Sequence, residues 1–367
     1  MKDRTRNIIQ TVGFLVLVIG IMIVNICLPD TELSVSERRK LKQFPLFNAD
    51  TVTSGRFFTE FEDYALDQFV LRDTFRSFKA LGRFNLLMQK DNNDIYLVDG
   101  SVYKLEYPLK PNMIVGAANK YNAMADMYLE GLNLYYTIVP DKNMFVAEKN
   151  GYPSLDYALI EKLMAENVKD MTYIGIYDKL TLDDYYRTDI HWAQENLFGV
   201  ANHLLSSMGA EGNLKKEDFT AHTLSPFYGS YYGQSALAVK PDVLTYLTND
   251  ILDGCTLHDY QTGKDSPLYA TELFGGMDSY DVFLSGAKAL LSVTNPAVNN
   301  GKSLVVFRDS FGSSLVPLLA MEYEKVTLVD MRYIFPNMIG EYIDFSEYTD
   351  VLFMYNSIVL NNSAMLR

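Results

Sequence analysis

Three runs in the last third of the chain are almost entirely apolar: KSLVVF (302–307), KVTLVDM (325–331) and DVLFMYN (350–356). Each has the length of a strand, and none alternates between apolar and polar positions as a strand with one solvent-exposed face does. Continuous apolar strands are typical of a parallel sheet covered on both faces. These runs therefore predict strands of a buried parallel sheet.

Upstream and between these runs, further strands and helices alternate. The sequence predicts strands over 132–140 and 171–178, and helices over 154–167, 192–209 and 314–323. Such alternation predicts an α/β fold, a three-layer α/β/α arrangement with a mostly parallel sheet. The region 214–290 carries loops rich in Gly, Ser and Tyr, and its sequence pattern does not place strands or helices.

The first apolar run leads directly into RDSFG, which places Ser310 at a strand-to-helix turn. Ligands of open α/β sheets collect at the carboxyl ends of the strands. Backbone N–H groups of Ser310, Phe311 and Gly312 are predicted to face an oxyanion there. Ser313 or Ser314 is predicted to cap the next helix, with Pro317 in its first turn.

A serine nucleophile needs a base, and His191 is the natural candidate among only four histidines. Asp189 precedes it by two residues in TDIHW, and residues two apart share one side of an extended chain. The carboxylate can then hold one imidazole nitrogen and leave the other for Ser310. Taken singly, each residue has a plainer reading: Thr188 or Asp189 as a helix cap, His191 as a half-buried histidine with its hydrogen bonds satisfied, and Asp309 and Ser310 as turn residues.

DIHW together with RDSFG resembles the DHHW proteins of Gram-positive bacteria and the related alginate O-acetyltransferase group, which is SGNH-hydrolase-like. Further motifs follow in the expected order along nearly the whole chain: SVSERRKLKQFP, SGRFFTEFEDYALDQFVLRD, IVPDKNMF, SPFYGSYYGQS, YDVFLSG and LVDMRY. The resemblance implies an SGNH-like domain in which the Asp-x-His pair precedes the serine. Asp189, His191 and Ser310 fall on those catalytic positions, and Tyr186, Trp192 and Arg308 beside them are predicted to contact substrate.

The chain departs from the pattern at three places. Ile190 replaces the second histidine, Arg308 stands where glycine precedes Asp-Ser, and Gly286-Ala287 replaces an expected Gly-Asn oxyanion donor. The resemblance also implies an extracytoplasmic enzyme that acetylates hydroxyls of a cell-surface or exported polysaccharide. A multi-pass membrane-bound O-acyltransferase would supply its acetyl groups.

Near the N-terminus, 21 consecutive residues (8–28) carry no charge, which suffices for a helix to cross a membrane. No small-x-small cleavage site follows, so we expect an uncleaved anchor rather than a signal peptide. The predicted organisation is a cytoplasmic N-terminus and anchor (1–29), an extracytoplasmic stalk (30–54) and a catalytic domain beginning with amphipathic helices (55–367). Basic residues lie on both sides of the span, Lys2 among them; with the resemblance, we expect the bulk of the chain outside.

A formal net charge of −14 disfavours nucleic acid as a partner. The histidine and cysteine spacings predict neither a metal site nor a cofactor. Two alternatives to acetyl transfer stay open: a carbohydrate esterase with the same three residues, and a non-catalytic scaffold that binds glycans.

Overall fold

A computed structural model describes residues 3–34 and 36–367. Met1, Lys2 and Val35 lie outside the described residues. Two features of the sequence fall on them: the basic Lys2 beside the apolar span, and Val35 in the SVSERRKLKQFP motif. The chain forms two compact units. One contains the residues up to Asn92 together with Gly233–Ala238, and the other contains Asn93–Tyr232 and Val239–Arg367.

The first unit begins with α1 (Asp3–Cys27), the predicted apolar span. This helix has 25 residues, its most apolar 18-residue stretch has a mean hydropathy of 2.4, and none of its residues is buried, so it is long and apolar enough to cross a membrane. A two-stranded ribbon and further helices follow. Their bounds are β1 (Leu33–Ser34), β2 (Arg39–Lys40), a short helix Ala49–Thr53, α2 (Arg56–Asp67), α3 (Arg72–Leu81) and a π turn Gly82–Leu86.

The second unit is built on an eight-stranded sheet of order β10-β9-β11-β13-β12-β14-β5-β6, with two separate antiparallel pairs, β3–β4 and β7–β8. Strands β13, β12, β14, β5 and β6 run parallel, whereas β11, β9 and β10 are antiparallel. The predicted mostly parallel sheet is therefore confirmed. The strands are β3 (Ile95–Val98), β4 (Ser101–Lys104), β5 (Asn133–Val139), β6 (Thr172–Tyr173), β7 (Thr220–Phe227), β8 (Asp242–Thr248), β9 (Thr256–Asp259), β10 (Lys264–Ser266), β11 (Leu290–Thr294), β12 (Ser303–Arg308), β13 (Lys325–Val329) and β14 (Asp350–Asn356).

Helices cover both faces of this sheet, which gives the predicted three layers. The longer ones are α4 (Pro111–Tyr128), α5 (Tyr157–Asn167), α6 (Phe198–Ser207) and α7 (Gly312–Leu319). Side chains of β12 alternate between the faces: Val305 and Phe307 join the core under α4 and α5, whereas Leu304 and Val306 join the core under α6 and α7. Because both faces are buried, the strand can be apolar throughout. Short helices cover Asn143–Val146, Ser230–Ser235, Asp250–Asp253, Pro336–Ile339 and Ser357–Leu360.

The helix after the candidate nucleophile begins earlier than predicted. It starts at Gly312, so Ser313 and Ser314 lie inside its first turn instead of capping it, and Pro317 is its sixth residue. The hydroxyl of Ser314 is buried and accepts a hydrogen bond from Tyr280 (2.7 Å). Likewise, only Thr172–Tyr173 of the strand predicted over 171–178 pair, and the region 214–290, in which the sequence pattern places no elements, contains β7 to β10.

Phe307 tests how tightly the central strand is packed. Its ring is fully buried and stacks on Phe353 of β14 with centroids 4.5 Å apart. We expect Phe307→Ala to lower the free energy of unfolding by about 3–5 kcal/mol, through lost burial and the cavity left behind. Chemical denaturation of the full chain in detergent measures this loss.

Phe335→Ala is the matched control, because that ring is 52 % exposed. Its cost should stay below about 1 kcal/mol. Equal costs for the two substitutions would contradict this account of the core.

Candidate active site

The turn between β12 and α7 is fixed by the buried carboxylate of Asp309. Its Oδ1 accepts the N–H of Phe311 (3.0 Å), and its Oδ2 accepts the N–H of Asn356 at the end of β14 (2.6 Å). The N–H of Gly312 donates to the carbonyl of Asp309 (3.1 Å). Ser310 is thereby presented, partly exposed, at the carboxyl edge of two neighbouring parallel strands.

Glycine at position 312 has a packing reason. A Cβ there would lie 3.0 Å from Cβ of Arg308 and 3.1 Å from Cε of Met354. Real Cβ atoms rarely come that close to their neighbours, so a larger residue would push α7 away from the sheet. The glycine of RDSFG thus lets the helix begin immediately above the strand that carries Ser310.

Asp189 and His191 lie in a tight loop closed by an antiparallel bridge between Tyr185 and Trp192. One carboxylate oxygen of Asp189, Oδ1, accepts both the backbone N–H of His191 (3.0 Å) and Nδ1 of its ring (2.5 Å). The expectation that an extended backbone brings the two side chains together is wrong. A turn in which the aspartate side chain accepts the N–H two residues ahead does so instead.

The imidazole of His191 joins this loop to the nucleophile turn. Its Nε2 lies 2.7 Å from Oγ of Ser310, across 119 residues of sequence. The ring of Tyr280 stacks on the imidazole with centroids 3.9 Å apart and an interplanar angle of 6°, and Phe311 packs at a tilt against it. The structure thus brings Asp189, His191 and Ser310 into one hydrogen-bonded series.

A second layer of hydrogen bonds holds the loop in place. The N–H and hydroxyl of Thr188 donate to Oδ2 of Asp242 (2.8 and 2.5 Å), while the N–H of Ser230 donates to Oδ2 of Asp189 (2.5 Å). Gly229 packs so closely against Asp189 that a Cβ at this position would overlap that residue. Gly229 and Ser230, in the SPFYGSYYGQS motif, therefore pack against the loop and help to hold Asp189 in place.

The structure distinguishes among the three predicted oxyanion donors. The N–H groups of Phe311 and Gly312 are engaged by Asp309, so neither is available to an oxyanion in this arrangement. Among the described residues, no acceptor takes the N–H of Ser310. Of the three predicted backbone donors, the N–H of Ser310 is therefore the one that remains a candidate to bind an oxyanion.

Asn356 is a candidate site residue that the sequence reasoning missed. It ends β14, which pairs with β12 so that Met354 lies opposite Arg308, and its own N–H binds Asp309. Its Oδ1 accepts the N–H of Ile358 (2.9 Å), whereas its buried Nδ2 has no hydrogen-bond partner among the described residues. The available signal was a polar residue at the carboxyl end of the apolar run DVLFMYN.

The residues predicted to contact substrate are all buried. The indole of Trp192 is fully enclosed, donates to the carbonyl of Phe311 (3.0 Å) and packs edge-on against its ring. Trp192 therefore ties the two loops together, and the predicted substrate contact is not available to it. Tyr186 packs edge-on against Phe227, and its buried hydroxyl has no hydrogen-bond partner within the part of the chain that the structure describes.

Arg308, also predicted to contact substrate, is fully buried beneath the nucleophile turn. Its Nη1 donates to the carbonyl of Asp309 (3.3 Å), while Nε and Nη2 have no partner among the described residues. Burial lowers the pKa of Arg308, and the carboxylates of Asp330 and Asp309 oppose that shift. Burial raises the pKa of Asp309, opposed by the charge of Arg332 and by its two backbone donors.

Two cavities lie in the same unit as the candidate site. One, of about 490 Å³, has exposed aromatic walls formed by Tyr333, Phe335 and Tyr342. It lies where β13 ends and β11 begins, at the same sheet edge as Ser310. The other, of about 530 Å³, is lined by Lys142, Tyr186 and Asp242 among others, behind the loop that carries His191.

This arrangement can perform acyl transfer through a serine. A carboxylate behind an imidazole favours the tautomer with hydrogen on Nδ1, which leaves Nε2 to accept a proton from the serine hydroxyl.

Within 3–34 and 36–367, no group of three or more His, Cys, Asp or Glu side chains is placed to hold a metal ion.

Comparisons with known proteins agree with the resemblance seen in the motifs. The family model described as DHHW protein matches residues 160–329, which include Asp189, His191 and Ser310, so the resemblance is confirmed over that segment. A DHHW family protein from Eubacterium siraeum has a similar structure, with a TM-score of 0.60, 18 % identity, and coverage of 75 % of this chain and 94 % of that one. No curated protein matches the chain.

PatB1 of Bacillus cereus is similar to the same extent. Its structure with a sulfonyl adduct gives a TM-score of 0.59 at 20 % identity, covering 74 % of this chain and 97 % of that one. A second PatB1 structure gives the same TM-score and identity. At identities this low, the structural similarity shows that the fold is shared and nothing more.

The stacked ring of Tyr280 should control how well His191 serves Ser310. We expect Tyr280→Leu to slow modification of Ser310 by phenylmethylsulfonyl fluoride by up to about tenfold, because an aromatic pair contributes about 0.5–1.5 kcal/mol. Tyr280→Phe keeps the ring and loses only the bond to Ser314, so its rate should stay near that of the wild type. Mass spectrometry of the serine adduct follows both rates, and equal rates for Leu and Phe would contradict a role for the stacked ring.

Proposed function

We propose that the chain is a membrane-anchored, extracytoplasmic O-acetyltransferase that acetylates hydroxyls of a cell-surface or exported polysaccharide. The observation that carries this proposal is the 2.7 Å approach of His191 Nε2 to Ser310 Oγ, with the buried carboxylate of Asp189 on the other ring nitrogen. The match of residues 160–329 to DHHW proteins supports it. Two segments that are distant in sequence bring these residues together in the order that serine catalysis requires.

In the first half-reaction, Oγ of Ser310 attacks the carbonyl carbon of an acetyl donor while Nε2 of His191 takes the hydroxyl proton. Asp189 holds the imidazolium that results. The tetrahedral oxyanion would be stabilised by the N–H of Ser310 and by Nδ2 of Asn356, a buried donor to which no described residue is bonded. One such donor contributes about 3 kcal/mol to transition-state stabilisation. Collapse expels the leaving group, which receives the proton from His191, and leaves acetyl-Ser310.

In the second half-reaction, a sugar hydroxyl attacks the acetyl-serine carbonyl. His191 removes the hydroxyl proton and returns it to Oγ of Ser310 as the ester bond to the enzyme breaks. The products are the O-acetylated sugar and the free serine. If water attacked instead, the same residues would catalyse ester hydrolysis, so exclusion of water from the acetyl-enzyme separates the two activities.

The aromatic cavity supports a saccharide as the acceptor. Tyr333, Phe335 and Tyr342 expose 48 %, 52 % and 46 % of their surface, and flat aromatic faces suit the apolar faces of sugar rings. The cavity borders β13 and β11, which are one and two strands from β12 in the sheet. A net charge of −14 is compatible with a neutral glycan.

Helix α1 supports attachment to a membrane. Its apolar length is sufficient, and Arg4 and Arg6 at its start suit the cytoplasmic side, which would place the sheet-containing unit outside. An acetylating enzyme outside the cell lacks direct access to cytoplasmic acetyl donors. A multi-pass membrane-bound O-acyltransferase that delivers acetyl groups across the membrane is therefore the partner we propose.

The acetyl-transfer proposal is tested with the full chain in detergent, p-nitrophenyl acetate as donor and chitohexaose as acceptor. We expect mass spectrometry to detect acetyl-Ser310 and acetylated oligosaccharide, and both to be absent in Ser310→Ala. Ser346→Ala, at an exposed serine on the same unit, should behave as the wild type.

Two other outcomes would redirect the assignment. Acetate release without acetylated sugar, over a panel of neutral oligosaccharides, would favour the esterase. Absence of any serine adduct, together with sugar binding that Ser310→Ala leaves unchanged, would favour the glycan-binding scaffold.

The aromatic cavity predicts a separation between acceptor binding and serine chemistry. Tyr333→Ala and Phe335→Ala should each raise KM for the oligosaccharide up to about tenfold, because each removes one stacking face. Hydrolysis of p-nitrophenyl acetate should be unchanged, since neither ring contacts the hydrogen-bonded series. Leu273→Ala removes an exposed apolar side chain outside the cavity and is the control; an unchanged KM in both aromatic variants would contradict the assignment of the cavity.

A further inference from the structure

Lys142, in the IVPDKNMF motif, is a buried lysine that the mechanism above does not use. It precedes the short helix Asn143–Val146, just after β5, and only 2 % of its surface is exposed. Lysines are seldom buried unless their charge is paired or bound by hydrogen bonds. The surroundings of Lys142 therefore indicate what its ammonium group does.

The ammonium group binds the loop that carries Asp189 and His191. Its Nζ donates to the carbonyl of Tyr186 (3.0 Å) and to that of Arg187 (3.3 Å). It also lies over the rings of Tyr103 (4.9 Å to the centroid) and Tyr231 (5.1 Å). Both carbonyls belong to the segment immediately before Asp189, so Lys142 fixes the point from which the loop turns.

Three carboxylates surround this cation. Asp189, Asp242 and Asp141 each favour its charged form, in that order. Asp242 binds the N–H groups of Arg187 and Thr188, so the same loop segment is held by the cation through its carbonyls and by Asp242 through its N–H groups. Burial outweighs these carboxylates and lowers the pKa of Lys142 to about 7.

We propose that Lys142 is a positioning residue for the Asp189–His191–Ser310 series: its ammonium holds the carbonyls of Tyr186 and Arg187 and balances the buried charge of Asp189. The inference rests on the proposed function, because it assigns Lys142 to the same reaction. Lys142 acts through the loop and touches none of the three residues of the series.

Removal of the ammonium would have two physical effects. The carbonyl of Tyr186 would lose its lysine donor, and that of Arg187 would retain the N–H of Val102 (2.8 Å). Asp189 and Asp242 would lose their shared countercharge, which is costly for buried carboxylates. A loop displaced by about 1 Å can lower the rate of a positioned reaction about a hundredfold.

The proposal also has a consequence for pH dependence. A lysine with a pKa of about 7 is charged below that pH and loses its charge as the pH rises, so serine modification should fall on the alkaline side. The carboxyl of Glu106, whose pKa burial raises to about 7 with a further contribution from Asp141, titrates in the same range. An arginine at position 142 stays charged over this pH range. Lys142→Arg should therefore move an alkaline fall that Lys142 causes and leave one that Glu106 causes unchanged.

The test compares Lys142→Met and Lys142→Arg with the full-length wild type in detergent. Lys120→Met is the control, because Nζ of Lys120 also donates to a backbone carbonyl, that of Leu366, in the same unit. One readout is the rate at which phenylmethylsulfonyl fluoride modifies Ser310 from pH 5 to 10. The other, which needs no activity, is hydrogen exchange of peptides covering 185–193.

We expect Lys142→Met to slow modification about a hundredfold and to speed exchange in the loop. Lys142→Arg should restore most of the rate and move the alkaline fall to higher pH, while Lys120→Met changes neither readout. Wild-type rate and exchange in folded Lys142→Met would overturn the inference. If that variant does not fold, the test rests on Lys142→Arg. The inference is then overturned when the alkaline fall in this variant occurs at the same pH as in the wild type.

Failure of the proposed function would look different. Wild-type protein in which Ser310 is never modified, but whose loop exchanges faster in Lys142→Met, would disprove the serine chemistry and leave Lys142 as the residue that holds the loop.

Discussion

The carboxylate of Asp189 is completely enclosed, and both of its oxygens bind hydrogen-bond donors from two different segments. A buried carboxylate is stable only when such donors and a countercharge surround it, because its desolvation costs several kcal/mol. Here His191, Ser230 and, through the loop, Lys142 supply them. The geometry of the loop, the orientation of the imidazole and the approach to Ser310 all depend on keeping this one charge satisfied.

The sheet supplies the other half of the arrangement. Parallel pairing of β12 with β14 brings Ser310 and Asn356 to one edge, and the carboxylate of Asp309 joins the ends of these two strands. Gly312 lets α7 begin directly above that edge. Ser310 is thus held by the core, whereas His191 comes from a loop that hydrogen bonds hold, and Trp192 links the two through the carbonyl of Phe311.

Much of this was predictable where one residue pattern reports one environment. Continuous apolar runs predicted the parallel strands, and a strand followed by RDSFG predicted the place of Ser310. The start of α7 and the strands within 214–290 were missed, because they depend on close packing at Gly312 and on pairing between distant segments. Asn356 and Lys142 were missed for a related reason. The sequence shows a single polar residue beside an apolar run, but it does not show whether that residue is buried or which groups it contacts.

The central claim is that Asp189 makes His191 an effective base for Ser310, and the rate of Ser310 sulfonylation in Asp189→Asn tests it most directly. We predict modification at least about a thousandfold slower than in the wild type, because an amide favours the wrong imidazole tautomer. Asp183→Asn, at an exposed aspartate near the start of the same loop, should react as the wild type does. Wild-type reactivity of folded Asp189→Asn would contradict the account.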